Sequence, residues 1–98
     1  MKDLKTPLCG LLGLRIPIFQ APMGGAVTPE LISRVAHHGG LGMIPLSDWS
    51  LEKCEKLIDE TLALAPSALP RIGVNLILEW DQNARLELAL SKGIKVIW

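Results

Sequence analysis

The residues best suited to ligand chemistry are residues 21–25, which read Ala-Pro-Met-Gly-Gly and end the first apolar segment of the chain. In parallel α/β folds, the segments that follow the strands carry the ligand sites. Gly24 and Gly25 would let a flat ligand approach the backbone closely, because neither has a side chain. The same residues also suit an ordinary glycine-rich turn, so the pattern leaves both interpretations open.

Asn75 is a second candidate, because it is the one strongly polar residue within the apolar residues 72–78. Alternation along a strand places Asn75 and Ile77 on one face, with Val74 and Leu76 on the opposite face. A buried carboxamide is costly unless it is hydrogen-bonded. We therefore expect Asn75 to bond either neighbouring backbone or a ligand at the end of the sheet.

The other polar residues form no catalytic or metal-binding pattern. His37 and His38 are adjacent, so on a helix they point in different directions and make a poor metal pair. Cys9 and Cys54 are too few for a disulfide framework and are expected to be packed, reduced thiols. Residues 39–42 (Gly-Gly-Leu-Gly) precede a strand, unlike a phosphate-binding loop. We predict no catalytic residue and no metal ligand.

Composition narrows the class of protein. The 98 residues carry ten basic and ten acidic side chains, so the formal net charge is zero. No broad positive field is available for nucleic acid or an anionic membrane. Apolar residues make up 49%, mean hydropathy is +0.34, and no apolar run approaches the length of a membrane span. These features predict a folded cytoplasmic protein, and a small-molecule substrate follows only from the family resemblance given below.

The elements that would position these residues alternate along the chain. Strands are expected at residues 15–23, 41–46, 72–78 and 94–98, with helices at 28–38, 47–64 and 81–92. The resulting β-α-β-α-β-α-β order has almost continuously apolar strands, which is typical of a parallel sheet covered on both faces. Residues 1–98 are therefore predicted to form a single α/β segment. The pattern alone fits either half of a (β/α)8 TIM barrel or a doubly wound, flavodoxin-type sheet.

Four segments in this order resemble the nitronate monooxygenase family, formerly called 2-nitropropane dioxygenases: residues 16–25, 28–31, 39–42 and 73–76. The resemblance implies an FMN-dependent (β/α)8 barrel that oxidises alkyl nitronates with O2. Ala21, Pro22 and Met23 match the backbone segment that lies along the flavin ring, and Asn75 matches an amide that contacts FMN. The related flavin-dependent enoyl reductases carry Gly-Gly-Met in place of Ala-Pro-Met and rank second.

The resemblance covers only the first half of the barrel, because family members are about three times as long. The catalytic histidine of the family lies in a later Gly-Gly-His segment that His37 and His38 do not match. The loops that bind the flavin phosphate also come later. We therefore expect one wall of a flavin site, inactive as a lone chain. A half barrel would leave one sheet face and two edges bare, which predicts a homodimer or higher oligomer. The alternative is a non-catalytic, self-associating α/β fragment.

Overall fold

The computed structural model describes residues 5–23, 26–47, 49–79 and 81–98. In chain order its elements are α1 (Pro7–Leu12), α2 (Pro29–His37), β1 (Gly42–Pro45), α3 (Leu51–Leu64), a 3-10 helix (Pro66–Arg71), β2 (Ile72–Asn75), α4 (Asn83–Ser91) and β3 (Val96–Ile97). The predicted α/β class is confirmed. No helix in this described part of the chain is long and apolar enough to cross a membrane.

The three strands form one parallel sheet in the order β1-β2-β3. On the other side of β1, Phe19 forms an isolated parallel bridge with Leu41. Successive segments of the chain therefore lie side by side without any reversal of direction. This order is consistent with part of a TIM barrel and differs from the flavodoxin order, in which the second strand lies outside the first.

Helices α2, α3 and α4 cover one face of this sheet. Thr28 Oγ1 accepts a hydrogen bond from Leu31 N at 3.2 Å, which caps α2 as its sequence predicts. Ser50 Oγ accepts one from Lys53 N at 3.3 Å and caps α3. The main core lies between these helices and the sheet, and its fully buried members are Ile32, Ala36, Ile44, Leu46, Cys54, Ile58, Ala68, Ile72, Val74 and Ala89.

Helix α1 covers part of the opposite face. The sequence predicted that this face would be bare. Instead, Leu41 and Met43 are 0% and 2% exposed, because they pack in one cluster with Cys9 and Leu14. Leu41 and Met43 alternate with Ile44 and other residues that face the main core, so the two clusters lie on opposite sides of the sheet. A short apolar run with a proline at its first turn thus became a helix that packs on the sheet.

The predicted strands were too long. Residues 15–23 pair with β1 only through Phe19, β2 ends at Asn75, and β3 has two residues. Strand length depends on the partner that supplies hydrogen bonds, which a run of apolar residues does not reveal.

The sheet curls towards the α1 side. The strand registers place Phe19 level with Ile94, three strands away, with Trp98 four residues further along. In a flat sheet their Cα atoms would be about 19 Å apart. Their ring centroids are 6.1 Å apart, edge to face. Since each ring centre lies about 4 Å from its Cα, the two Cα atoms are within about 14 Å. Helices α2, α3 and α4 therefore lie on the convex side, as in a barrel wall.

Candidate functional site

The candidate residues lie at the carboxyl edge of the sheet. The bridge between Phe19 and Leu41 brings the segment that follows Phe19 alongside β1, and Asn75 is paired with Pro45 at the end of β1. The structure thus brings residues 21–23 and Asn75 to the same edge, separated by β1. Ligands in parallel α/β proteins bind at this edge.

Residues 21–23 turn away from the sheet and face solvent. Met23 N donates to Ala21 O at 3.0 Å, which forms a tight turn, and Ala26 N donates to Met23 O at 3.0 Å. Ala21 is exposed, Met23 is 57% exposed and Pro22 is half-buried. Gly24 and Gly25 lie outside the described residues. An exposed, turned backbone of this kind can meet a flat ligand.

Pro22 limits how far the first strand can extend. Leu41 N donates to Ile18 O at 2.9 Å, and Gln20 N donates to Leu41 O at 3.0 Å. If the parallel ladder continued, Met43 N would donate to Gln20 O and the N–H of residue 22 would then donate to Met43 O, but proline has no N–H. Gln20 N makes the last backbone bond between the two segments, and Pro22 keeps the ladder from resuming at Met43 O as the backbone leaves the sheet at the candidate site.

Gln20 is a site residue that the sequence analysis missed. Its Nε2 donates to Met43 O at 3.1 Å and lies 3.4 Å from Ala21 O. Because both partners are carbonyl oxygens, the amino end of the carboxamide must face them. Its Oε1 is buried and receives no hydrogen bond from the residues that the structure describes. The available signal was the polar side chain between Phe19 and Ala21, two residues before a proline.

Asn75 lies where the alternation predicts. Its strand neighbours Val74 and Leu76 belong to the core beneath the helices, so Asn75 faces the concave side. It is half-buried, and its Nδ2 donates to Trp98 O at 3.3 Å. The backbone bond that the sequence analysis considered is therefore present. Asn75 consequently ties the ends of β2 and β3 together at the candidate site, whether or not it also meets a ligand.

The loops that follow β1 and β2 are tied to each other and to α4. Ile77 N donates to Ser47 Oγ at 2.7 Å, and Gln82 Nε2 donates to Ile77 O at 3.1 Å. Arg85 Nε donates at 3.1 Å to both Leu46 O and Trp49 O. These contacts give the carboxyl edge a fixed shape. The contacts of Ser47 and Arg85 join residues 30 to 39 positions apart, which local spacing does not reveal.

Cys54 lies beneath the loop that follows β1. Its Sγ is 3.3 Å from Leu46 O, and the residue is fully buried. Burial raises the pKa of the Cys54 thiol, against the opposing charge and hydrogen bond of Arg85. A neutral, enclosed thiol is a poor nucleophile, which agrees with the prediction that it is a packing residue.

His37 and His38 lie at the opposite end of the sheet from the candidate site, where α2 ends. Their rings are 5.3 Å apart, edge to face. The described part of the chain contains no group of three or more His, Cys, Asp or Glu residues that could hold a metal ion. Arg15 Nη2 donates to His37 O at 2.8 Å, and Arg71 Nε donates to Ala36 O at 2.7 Å. The two arginines therefore cap the carboxyl end of α2, where positive charge interacts favourably with the helix dipole.

Comparisons with known proteins agree with this geometry. The family model described as nitronate monooxygenase matches residues 5–93. The chain is 44% identical over 55 residues to a probable nitronate monooxygenase of Staphylococcus saprophyticus, covering 56% of this chain and 16% of that protein. It is 43% identical over 60 residues to a nitronate monooxygenase of Paraburkholderia phytofirmans, and the match covers 61% of this chain and 16% of that protein.

A third relative is named for a different activity. The chain is 31% identical over 94 residues to a (3aS,4S,5R,7aS)-5-hydroxy-7a-methyl-1-oxo-octahydro-1H-indene-4-carboxyl-CoA dehydrogenase of Mycobacterium tuberculosis, covering 95% of this chain and 26% of that protein. No solved structure gives a significant match. The chain spans about a quarter or less of the curated relatives that it matches. With the family model matching residues 5–93, the chain belongs to the nitronate monooxygenase family.

Proposed function

We propose that this chain forms one wall of the FMN site of a nitronate-oxidising enzyme, and that its strands are the first half of a (β/α)8 barrel. The observation that carries the proposal is the placement of residues 21–23 and Asn75 on one edge of a curled parallel sheet. Family membership supports the flavin chemistry. Residues 1–98 would act as a single segment of that barrel.

The residues present fit a flavin in two respects. The exposed backbone at residues 21–23 offers a surface for a flat ring. Close beside it, the buried Oε1 of Gln20 receives no hydrogen bond from the described residues, and the ring N–H and side-chain hydroxyls of FMN are donors. Ala21, Pro22, Met23 and Asn75 would hold the cofactor from this side. When bound, FMN would accept electrons from an alkyl nitronate and pass them to O2.

The chain's own residues would bind and orient, and none would transfer a proton. Among the described residues at this edge, Gln20 and Asn75 carry carboxamides, which do not titrate, and the buried Cys54 thiol has a raised pKa. The proposal therefore leaves proton transfer to a group outside these 98 residues. The lone chain is expected to be inactive as a nitronate oxidase.

A flavin titration tests this proposal. The chain is incubated with FMN and passed over a gel-filtration column, and flavin absorbance is followed with the protein. Asn75→Leu should weaken flavin retention, because it removes the carboxamide at the concave edge. Asn83→Leu is the matched control, because Asn83 is an exposed residue of the first turn of α4. Equal retention by both variants, or no retention by the unaltered chain, would contradict the proposal.

A dehydrogenase acting on a CoA ester is the second candidate activity. The relative from Mycobacterium tuberculosis is named as such a dehydrogenase and matches 95% of this chain, more than either nitronate monooxygenase above. A flavin-dependent reductase or dehydrogenase could use the same wall. If the chain retains FMN, adding an alkyl nitronate or an acyl-CoA in turn would show which of the two perturbs the flavin spectrum.

Self-association is the proposed alternative to catalysis by this chain. The outer edge of β3 carries no partner strand among the described residues, and it adjoins a cleft of about 450 Å³. That cleft is lined mostly by Leu8, Leu11, Phe19, Ile97 and Trp98, of which Leu11 is 80% and Trp98 is 68% exposed. We propose that a second copy of the chain covers it. Light scattering after gel filtration should show a dimer or larger species. The substitution Leu11→Glu should shift that species towards monomer. A monomeric unaltered chain would refute the proposed self-association.

A further inference from the structure

The carboxamide of Gln20 occupies a particular place in the hydrogen-bond ladder. The N–H groups of residues 18, 20 and 22 face β1, because Gln20 N bonds Leu41 O and alternate residues share a direction. Met43 O is the acceptor that follows Leu41 O along the edge of β1. Pro22 cannot donate to it, and the side chain of Gln20 does so at 3.1 Å.

The same carboxamide also touches the turn that carries the candidate site. Ala21 O accepts from Met23 N at 3.0 Å and lies 3.4 Å from Nε2 of Gln20. A single amino group therefore connects the end of β1 with residues 21–23. Without it, Met43 O would be left without this donor, and the turn would lose its link to the sheet.

We propose that Gln20 is a positioning residue for the ligand: its side chain supplies the hydrogen bond that Pro22 cannot, and so holds residues 21–23 outside the sheet, facing the ligand. The pair acts as a unit, because Pro22 has no N–H to donate to Met43 O and the side chain of Gln20 bonds that carbonyl instead. The ligand role rests on the proposed function, since FMN is the ligand assigned to this segment. The compensation between Gln20 and Pro22 stands on the contacts of Gln20 alone.

A double-mutant cycle of Gln20→Met and Pro22→Ala tests this compensation. FMN dissociation constants are measured by flavin fluorescence well below the unfolding temperature. Gln20→Met should weaken FMN binding about tenfold when residue 22 is proline, because a part-buried carbonyl loses its donor. In the Pro22→Ala background the loss should be about twofold or less, because the backbone N–H of residue 22 can donate to Met43 O. Equal losses in the two backgrounds would overturn the proposal.

Pro17→Ala is the matched control. Pro17 also lacks an N–H, but position 17 alternates with the positions that face β1, so its nitrogen points away from Met43 O. Gln20→Met should therefore lose about tenfold in affinity in the Pro17→Ala background as well. If the loss caused by Gln20→Met also shrinks in the Pro17→Ala background, removing either proline makes FMN binding less dependent on Gln20, and the argument from the ladder position of residue 22 fails.

Gln20→Glu separates hydrogen bonding from shape. The carboxylate has nearly the same size as the carboxamide but cannot donate to Met43 O. It should weaken FMN binding at least as much as Gln20→Met when residue 22 is proline, and both losses should fall to about twofold or less in the Pro22→Ala background. If Gln20→Glu binds FMN normally, Gln20 does not act as a donor, and the proposal is wrong.

Thermal unfolding of the flavin-free chain distinguishes this proposal from the proposed function. Gln20→Met should lower Tm by about 5 °C with Pro22 and by less than about 2 °C with Ala at position 22. If the unaltered chain binds no FMN, the proposed function and the ligand role of Gln20 both fail, and the Tm cycle still decides the compensation. If Tm responds as expected while FMN affinity does not change, Gln20 is only structural and its positioning role is refuted.

Discussion

Adding a single methyl group at Gly42 should separate α2 from β1. A Cβ built at Gly42 would lie 2.5 Å from Ile32 O and 2.9 Å from Ile32 Cγ2. Ordinary contact begins near 3.4 Å, so the backbone of α2 would have to withdraw by about 1 Å. Because the clash is with main-chain atoms inside a helix, no side-chain rotation can relieve it.

The cost of Gly42→Ala follows from that geometry. Overpacking of a well-packed core costs about 1–3 kcal/mol, and a backbone clash belongs at the upper end, so we expect about 3 kcal/mol of destabilisation. For a domain of this size, that corresponds to a fall in Tm of about 15 °C. Circular dichroism during heating measures the shift, and urea unfolding gives the free energy independently.

Gly10→Ala is the matched control for this substitution. Gly10 lies in α1, and a Cβ there would meet no atom within 4 Å. Alanine is also the better helix former, so Tm should stay the same or rise by a few degrees, with a gain of up to about 1 kcal/mol. If Gly42→Ala changes stability by less than about 0.5 kcal/mol, the close approach of α2 to β1 does not exist in solution, and our account of the fold is wrong there.

Two further predictions concern titratable side chains. Lys92 Nζ lies 2.9 Å from Asp59 and 3.2 Å from Glu55, and hydrogen bonds to both raise the pKa of Lys92 above 10.5. Its contribution to stability should therefore be present below about pH 10 and be lost as the pH rises through the raised pKa, so Lys92→Met should flatten the alkaline fall in Tm. If the Lys92→Met chain shows the same alkaline fall in Tm, the ion pairs of Lys92 are not the cause of that fall. The thiol of Cys54 is buried and its pKa is raised. A thiol reagent at pH 8 should therefore label Cys54 at least about a hundredfold more slowly in the native chain than in denaturant. Fast labelling of the native chain would contradict the burial of Cys54.

Much of the fold could be predicted from local signals. Thr28 and Pro29 start α2 because a hydroxyl cap and a proline at the first helical position suit a helix beginning. The apolar residues of β1 and β2 became a parallel sheet beneath helices, as continuous apolar strands indicate. These signals depend on a few neighbouring residues, so they can be read along the chain.

The errors arose where distant residues decide the outcome. The sequence pattern predicted a long first strand, but only Phe19 pairs, and Pro22 has no N–H with which to continue the ladder to Met43 O. Helix α1 was missed because six residues carry little helical periodicity, and its burial depends on Leu41 and Met43, about thirty residues away. The choice between barrel and flavodoxin order likewise required the observed strand neighbours.

For the candidate site, the sequence indicated the candidate residues and the tertiary structure determined their arrangement. Residue types alone indicated Ala21, Pro22, Met23 and Asn75, because a turn after an apolar strand and a lone amide within one are local features. Only the folded sheet brought the two segments to one edge and showed that Gln20 completes the ladder at Met43. The physical reason is that a side chain's role at a sheet edge depends on which backbone groups its neighbouring strand leaves without a partner, and that neighbour is more than twenty residues away.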